Sequence, residues 1–356
     1  MTASVPPIEQ DRQNLGPATR PAAARQRSAV GPWVTAYRKL VRDRAAMAAL
    51  AVFLLIVIAC CCAPLYVSQF SHIDPFQSNI DGTVTLDGQD VSILEPSTEG
   101  LGLGTTPIGP TWEFNTFFLG ADAQGRDVFA RLLYGGINSL LIATGSTIVC
   151  LLSAALMGVV AGFFGGAVDA TLSRILDVIW AFPVFLLAIS LSIVLISQDI
   201  EIGPIRITAG SLWLPIFIIG IVYIPYVARP IRGQVLTLKN SEFVLAAIGL
   251  GVPSRRILWK DILPNVATTL IVFVPLMMAL NMLTESALSF LSIGVQSPDA
   301  SWGTIIQDGQ DVLYTRPMVA LAPGIAIAVT VLALNVLGDG VRDALDPRSK
   351  LRLGRD

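Results

Sequence analysis

Charge is scarce in this chain: only 14% of its 356 residues are Asp, Glu, Lys or Arg, against about a quarter in an ordinary soluble domain. Hydrophobic residues make up 53% and the mean hydropathy is +0.66, which excludes a solvated globular domain and reads as an integral membrane protein. Histidine is nearly absent, and the single His72 reads as a loop surface residue. Cys60, Cys61, Cys62 and Cys150 fall in apolar stretches without metal-ligand or disulfide spacing, so they read as small hydrophobes. No Gly-x4-Gly-Lys-Ser/Thr pattern occurs, and the chain should not hydrolyse ATP unaided. His-Glu-x-x-His and Gly-x-Ser-x-Gly are also missing, which removes the usual supports for a membrane-embedded enzyme. No catalytic residue, metal, cofactor or nucleic-acid partner is expected.

What the chain has is long uncharged runs. Residues 45–73, 132–168, 178–198, 207–228, 262–284 and 317–338 contain no Asp, Glu, Lys or Arg, and each can supply the roughly 20 helical residues that cross a bilayer. The expectation is an all-α protein with six transmembrane helices. Twenty of the 24 basic residues lie in the tail to residue 44, beside the second loop at Arg174, in the loop 229–263 and in the tail after 341. Lysine and arginine stay cytoplasmic during insertion, so both termini are expected in the cytoplasm of a multi-pass cell-membrane protein.

The organisation expected is a tail 1–44, a first span 45–67, an external segment 68–131, a core 132–340 with a cytoplasmic loop 229–264, and a tail 341–356. The first span exceeds the apolar core of a secretory signal and is expected to be a retained anchor. Residues 1–30 are rich in Ala, Pro, Arg and Gln and lack the means to bury a core. The external segment carries nine acids between Asp74 and Asp127. Within it Thr83 to Ile93 reads as a β-hairpin turning at Asp87-Gly88, so a small β insertion is expected between helices one and two. Gly100, Gly102 and Gly104 read as a linker. Pro183, Pro215, Pro225, Pro275 and Pro323 should bend the spans. Gly158 and Gly162 offer a small face for close helix contact.

The segment from Asn240 to Pro264 places the apolar octet Phe243 to Leu250 in the basic loop between two spans, and eight residues cannot cross a bilayer. Asn240 is a good N-cap and Glu242 suits the first turn. Phe243, Ala247 and Leu250 share a helical face, while Ala246, Ala247, Gly249 and Gly251 allow close approach. Gly251-Val252-Pro253 should end that helix, and Ser254 can cap a second one through Arg255, Arg256 and Lys260 before Pro264 opens span five. Such a tip needs a protein surface to cover it, either a partner's or the chain's own. Two charged features lie in or beside spans: Arg174 and Asp177, at a spacing that suits an ion pair, and Glu285, expected either in a pathway or as a hydrogen-bonded structural group.

At this point the residues resemble a known family. Glu242-Phe243-Val244, Ala246-Ala247-Ile248-Gly249-Leu250-Gly251 and Ile262-Leu263-Pro264-Asn265 resemble the cytoplasmic EAA loop of ABC importer permeases. They are nearest to the dipeptide, oligopeptide and nickel group, with departures at Leu245 and Asp261. Leu119 to Val128 resembles the segment before the second span of that group's second permease subunit. Arg174 to Val178, Phe182-Pro183, Glu285 to Gly294, Ser301-Trp302-Gly303 and Gly338 to Pro347 continue the likeness over about residues 35–350.

The resemblance implies the transmembrane fold of a type I ABC importer, with a homologous second permease subunit, two ATPase subunits and an extracytoplasmic substrate-binding protein as partners in membrane lipid. It implies that Glu242, Phe243, Ala246, Ala247, Leu250, Gly251, Arg255, Arg256 and Pro264 couple the permease to an ATPase, and it favours peptide cargo over nickel or another small solute. A self-sufficient channel or secondary transporter is the rival class, but neither an internal repeat nor a charge relay supports it.

Overall fold

The computed structural model describes residues 32–86, 89–96, 104–114, 116–196, 200–202, 205–207 and 211–346. Expectations for residues 1–30, for the Asp87-Gly88 turn and for Gly100 and Gly102 lie outside these.

In chain order, α1 (Pro32–Arg42) and α2 (Arg44–Cys61) are followed by a short α3 (Ala63–Tyr66). The insertion carries β1 (Thr83–Leu86), β2 (Gln89–Ser92), β3 (Leu94–Pro96) and β4 (Thr105–Pro107). Then come α4 (Val128–Phe164), α5 (Gly166–Trp180), α6 (Val184–Ile196), β5 (Ile200–Ile202), β6 (Ile205–Ile207), α7 (Trp213–Val222) and α8 (Ile224–Lys239). The remainder is α9 (Glu242–Gly249), α10 (Ser254–Ile257), α11 (Leu263–Phe290), α12 (Trp302–Asp308) and α13 (Met318–Leu345). Among the described residues four helical stretches, α2, α4, α10 to α11 and α13, are long and apolar enough to span a membrane singly. Two bent pairs bring the number to six: α5 with α6 at 88° and α7 with α8 at 44°. The first bend falls at Ala181-Phe182-Pro183 and the second at Tyr223, just before Pro225, where proline removes a backbone donor. By contrast α11 and α13 run on as single helices through Pro275 and Pro323.

The expected hairpin forms. β1 pairs antiparallel with β2, Leu86 opposite Gln89, and β3 pairs with β4. A further hairpin of β5 and β6 between α6 and α7 was not expected from the uncharged runs. The insertion is seated firmly: Ile93 is fully buried, and a Cβ at Gly125, where φ is +75°, would lie 2.3 Å from the Asn79 carbonyl oxygen.

Small residues set how closely the helices approach. A Cβ on Gly158 would sit 2.7 Å from the Ala228 carbonyl oxygen, and one on Gly162 would sit 2.8 Å from Val235 Cβ, so these glycines are where α4 and α8 touch. Gly303 does the same for α12 against α11, since an added Cβ would meet the Ser286 carbonyl oxygen at 2.4 Å. Because the obstacle is backbone, Gly303→Ala should cost about 1–3 kcal/mol through overpacking. The check is a lowered midpoint of unfolding for the purified protein.

α12 is also strapped to α4. Trp302, 1% exposed, donates its indole N–H to the Leu132 carbonyl at 3.0 Å and its backbone N–H to Ser139 Oγ at 3.1 Å. Asn138 donates to the Ala300 carbonyl at 2.7 Å.

Candidate functional site

α8 runs past its last turn into α9 with only Asn240 and Ser241 between them. The structure corrects the expected cap: Asn240 ends α8, donating its side-chain amide back to the Leu236 carbonyl, and Ser241 occupies the N-cap position of α9. The Ser241 hydroxyl does not cap α9 but donates back to the Leu238 carbonyl. Glu242 does lie in the first turn, where the helix dipole favours a carboxylate.

The face of α9 also differs from the expected one. Val244, 1% exposed, and the partly buried Ala247 point into the core. Phe243, Leu245, Ile248 and Leu250 stand out at 49%, 53%, 52% and 83% exposure, with Ala246 and Gly249 also exposed. Ala247 therefore anchors the helix, and the apolar tip is Phe243, Ile248 and Leu250 with Leu245 beside them. These side chains give the short helix an exposed apolar surface.

The helix stops as the sequence suggested. Gly251 adopts φ +74°, a left-handed conformation that glycine takes without steric cost. The Val252 N–H then returns to the Ala247 carbonyl at 3.1 Å, which satisfies the orphaned end of α9. Ser254 does not cap α10; Pro253 holds the N-cap position and Ser254 is the first helical residue. Pro264 stands at the start of α11 as expected, although no loop precedes it. α10 passes through a wide turn at Leu258–Ile262 directly into α11, with Pro264 in its first turn. Arg255 and Arg256 are exposed on α10, beside α9.

The expected Arg174–Asp177 pair is not made among the described residues. Asp177 Oδ1 instead accepts from Arg229 Nη2 of α8 at 2.8 Å. Arg229 also lies 5.1 Å from the centre of the Trp180 ring. Sequence spacing alone had favoured the neighbour on the same helix, but α8 offers the partner that is used.

Glu285 is fully buried. Its carboxylate accepts from Ser289 Oγ at 2.7 Å and Ser286 Oγ at 3.3 Å, so in this conformation it faces neighbouring hydroxyls rather than open space.

A second charged cluster lies at the opposite end of α4. Arg126 donates to Asp122 Oδ2 at 2.7 Å and to Asp308 Oδ2 at 2.8 Å, and Arg131 donates to the same Asp308 oxygen at 2.8 Å. Arg126, Arg131 and Asp122 side chains are at most 3% exposed. Burial holds the Asp308 carboxyl above its ordinary range, against the opposing pull of the two guanidiniums. Beside them Asp127 caps α4, accepting from the Phe129 and Ala130 N–H groups and from Ser71 Oγ at 2.6 Å. Burial pushes this carboxyl up too, against the opposing hydrogen bonds. Sequence reasoning missed the cluster, although Asp122 and Arg126 stand four residues apart.

The family of binding-protein-dependent transport system inner membrane components matches residues 154–351, more than half of the chain. The chain belongs to this family. Ahead of it, residues 31–81 match the N-terminal transmembrane domain of oligopeptide transport permease C. The permease is 32% identical over 325 residues to the dipeptide transport system permease DppC of Alkalihalophilus pseudofirmus, covering 91% of this chain and 93% of that protein. It is 34% identical to the oligopeptide permease OppC of Haemophilus influenzae, covering 89% of each. It is 31% identical to the glutathione permease GsiD of Pectobacterium atrosepticum, covering 92% of this chain and 94% of that protein. Among solved structures, the MetNI methionine ABC transporter in inward facing conformations aligns at a TM-score of 0.48 with 17% identity, covering 60% of this chain and 96% of that one. The permease is thus a multi-pass membrane protein with a type I ABC importer permease fold and a small β insertion.

Proposed function

We propose that the chain is the second permease subunit of an ATP-driven importer of dipeptides or oligopeptides, in the cytoplasmic membrane, with both termini in the cytoplasm. The observation that carries this reading is α9, a short helix anchored through Val244 and presenting Phe243, Ile248 and Leu250 to its surroundings, on a chain of this family. A groove on an ATPase subunit is the surface that covers it. Glu242 and the small residues Ala246 and Gly251 allow close seating, while Arg255 and Arg256 supply positive charge at the rim. ATP hydrolysis belongs to the partners; this chain contributes half of the pathway and the lever. A homologous permease completes the pathway, and a binding protein brings cargo to the side carrying the insertion. The names of the relatives support peptide cargo, two of them being dipeptide and oligopeptide permeases.

The test is purification of the tagged permease from its native membrane, followed by uptake of labelled dipeptide, oligopeptide and nickel in cells with and without it. Two ATPase subunits and a second permease should come down together, and peptide uptake should fall when the chain is missing. A chain that purifies alone contradicts the importer reading, and loss of nickel uptake alone contradicts the cargo.

A further inference from the structure

α5 is held to the bundle in an unusual way. Of its side chains only Leu176 is buried, so little apolar packing attaches it. What joins it to α8 is charge and one ring pair, Trp180 stacked on Tyr226 with ring centres 6.3 Å apart. Arg232 grips both oxygens of Asp169 through Nε and Nη2, a bidentate geometry that fixes orientation as well as distance. Eight residues along α5, Asp177 takes Arg229 at 2.8 Å. The two pairs are partly exposed, Arg232 and Asp169 at 33% and 19%, Arg229 and Asp177 at 41% and 55%, so they contribute modestly to folding.

Their position gives them another use. α8 is the helix that leads into α9, and its last residue, Lys239, donates to the Phe163 carbonyl at the end of α4 at 2.8 Å. Gly162 meets the backbone of Arg232 across the same contact. The end of α4, all of α8 and the base of α9 therefore form one packed body; α5 follows α4 through the single residue Gly165, and the two ion pairs are its charged links to α8. Beyond α5 the chain bends by 88° into α6. A displacement of α9 can reach α5 and α6 through packed contacts, and on the α8 side these are Arg232–Asp169, Arg229–Asp177 and the Trp180 ring against Tyr226 and Arg229.

We infer that these two ion pairs are the linkage that carries movement of α9 into the bent α5–α6 span, and so tie cargo movement to ATP hydrolysis. The inference rests on the reading of α9 as the ATPase-docking helix. Asp169, Asp177, Arg229 and Arg232 are positioning residues in this scheme, and none of them touches cargo or nucleotide.

The experiment uses the complete transporter in liposomes with its binding protein, reading dipeptide transported per ATP hydrolysed. Asp169→Arg and Arg232→Asp are made singly and together. Each single variant should lower the ratio about five-fold or more, the scale of an ordinary coupling free energy, while ATP hydrolysis continues. The double variant, which restores an opposite-charge pair, should recover the ratio to within about two-fold. Single variants with an unchanged ratio, or with transport and hydrolysis falling together, overturn the inference. So does a double variant no better than the singles. If a charge reversal prevents assembly, Asp169→Ala with Arg229→Ala removes both links without repulsion, and its ratio decides in the same way. A wild-type complex in which ATP does not drive uptake fails the α9 reading itself, which keeps the two failures apart.

Discussion

Leu250→Asp should separate the permease from its ATPase and abolish uptake while leaving the permease folded. Leu250 is 83% exposed at the tip of α9, so the substitution removes little packing within the chain and should change its own stability little. In an assembled transporter the same side chain would sit in an apolar groove, and a carboxylate there would be buried without a partner. Central apolar anchors of an interface typically lose about 2 kcal/mol or more on truncation, which is about a 30-fold loss of affinity; a buried charge should exceed that. Phe243→Asp should behave alike. Val244→Asp is the contrasting case: at 1% exposure it should fail to fold. Titrating purified ATPase subunits against permease variants in nanodiscs distinguishes the three. Equal ATPase affinity for wild type and Leu250→Asp would leave the tip without its assigned partner.

Arg131→Ala should be among the most destabilising single changes outside α9. The side chain is 2% exposed and pairs with Asp308 while lying 3.5 Å from Asp122, itself 1% exposed. Removing it leaves two carboxylates facing the single guanidinium of Arg126, and breaking a buried pair from one side costs about 3–5 kcal/mol. Arg131 also donates to the Pro75 carbonyl at 3.3 Å, so the base of the insertion should loosen as α4 and α12 separate. Denaturant unfolding of the purified permease measures the loss. Asp308→Asn should cost less, because Asp308 is 30% exposed and the amide oxygen still accepts from both arginines. If both variants unfold with the wild type, the cluster does not hold that end of the bundle.

Hydrophobic content made the spans legible, because a bilayer demands long uncharged runs whatever the details of packing. The hairpin of β1 and β2 was legible for a similarly local reason, a two-residue turn between alternating strands. What escaped depended on partners remote in sequence. Asp177 was assigned to Arg174 on its own helix, and the structure gives it to Arg229, 52 residues away. Asp308 lies 177 residues from Arg131, so the buried cluster could not be assembled from spacing, although its local pair Asp122–Arg126 was visible. On α9 the period of the apolar residues was right but its phase was not. Which side of an all-apolar octet faces inward is decided by Val244 meeting the core, and no polar residue within the octet marks the other side. The cap was misplaced by one residue because Asn240 and Ser241 both favour N-caps, and α8 used the first of them for its own end.

The central claim is that the tip of α9 is covered by a nucleotide-hydrolysing partner, and a photo-crosslinking amino acid in place of Leu250 tests it most directly. Irradiated in native membranes, this position should give a crosslinked product containing an ATPase subunit, while a probe at the inward-facing Val244 should not. Crosslinks from position 250 that stay within this chain, with no partner attached, would contradict the account.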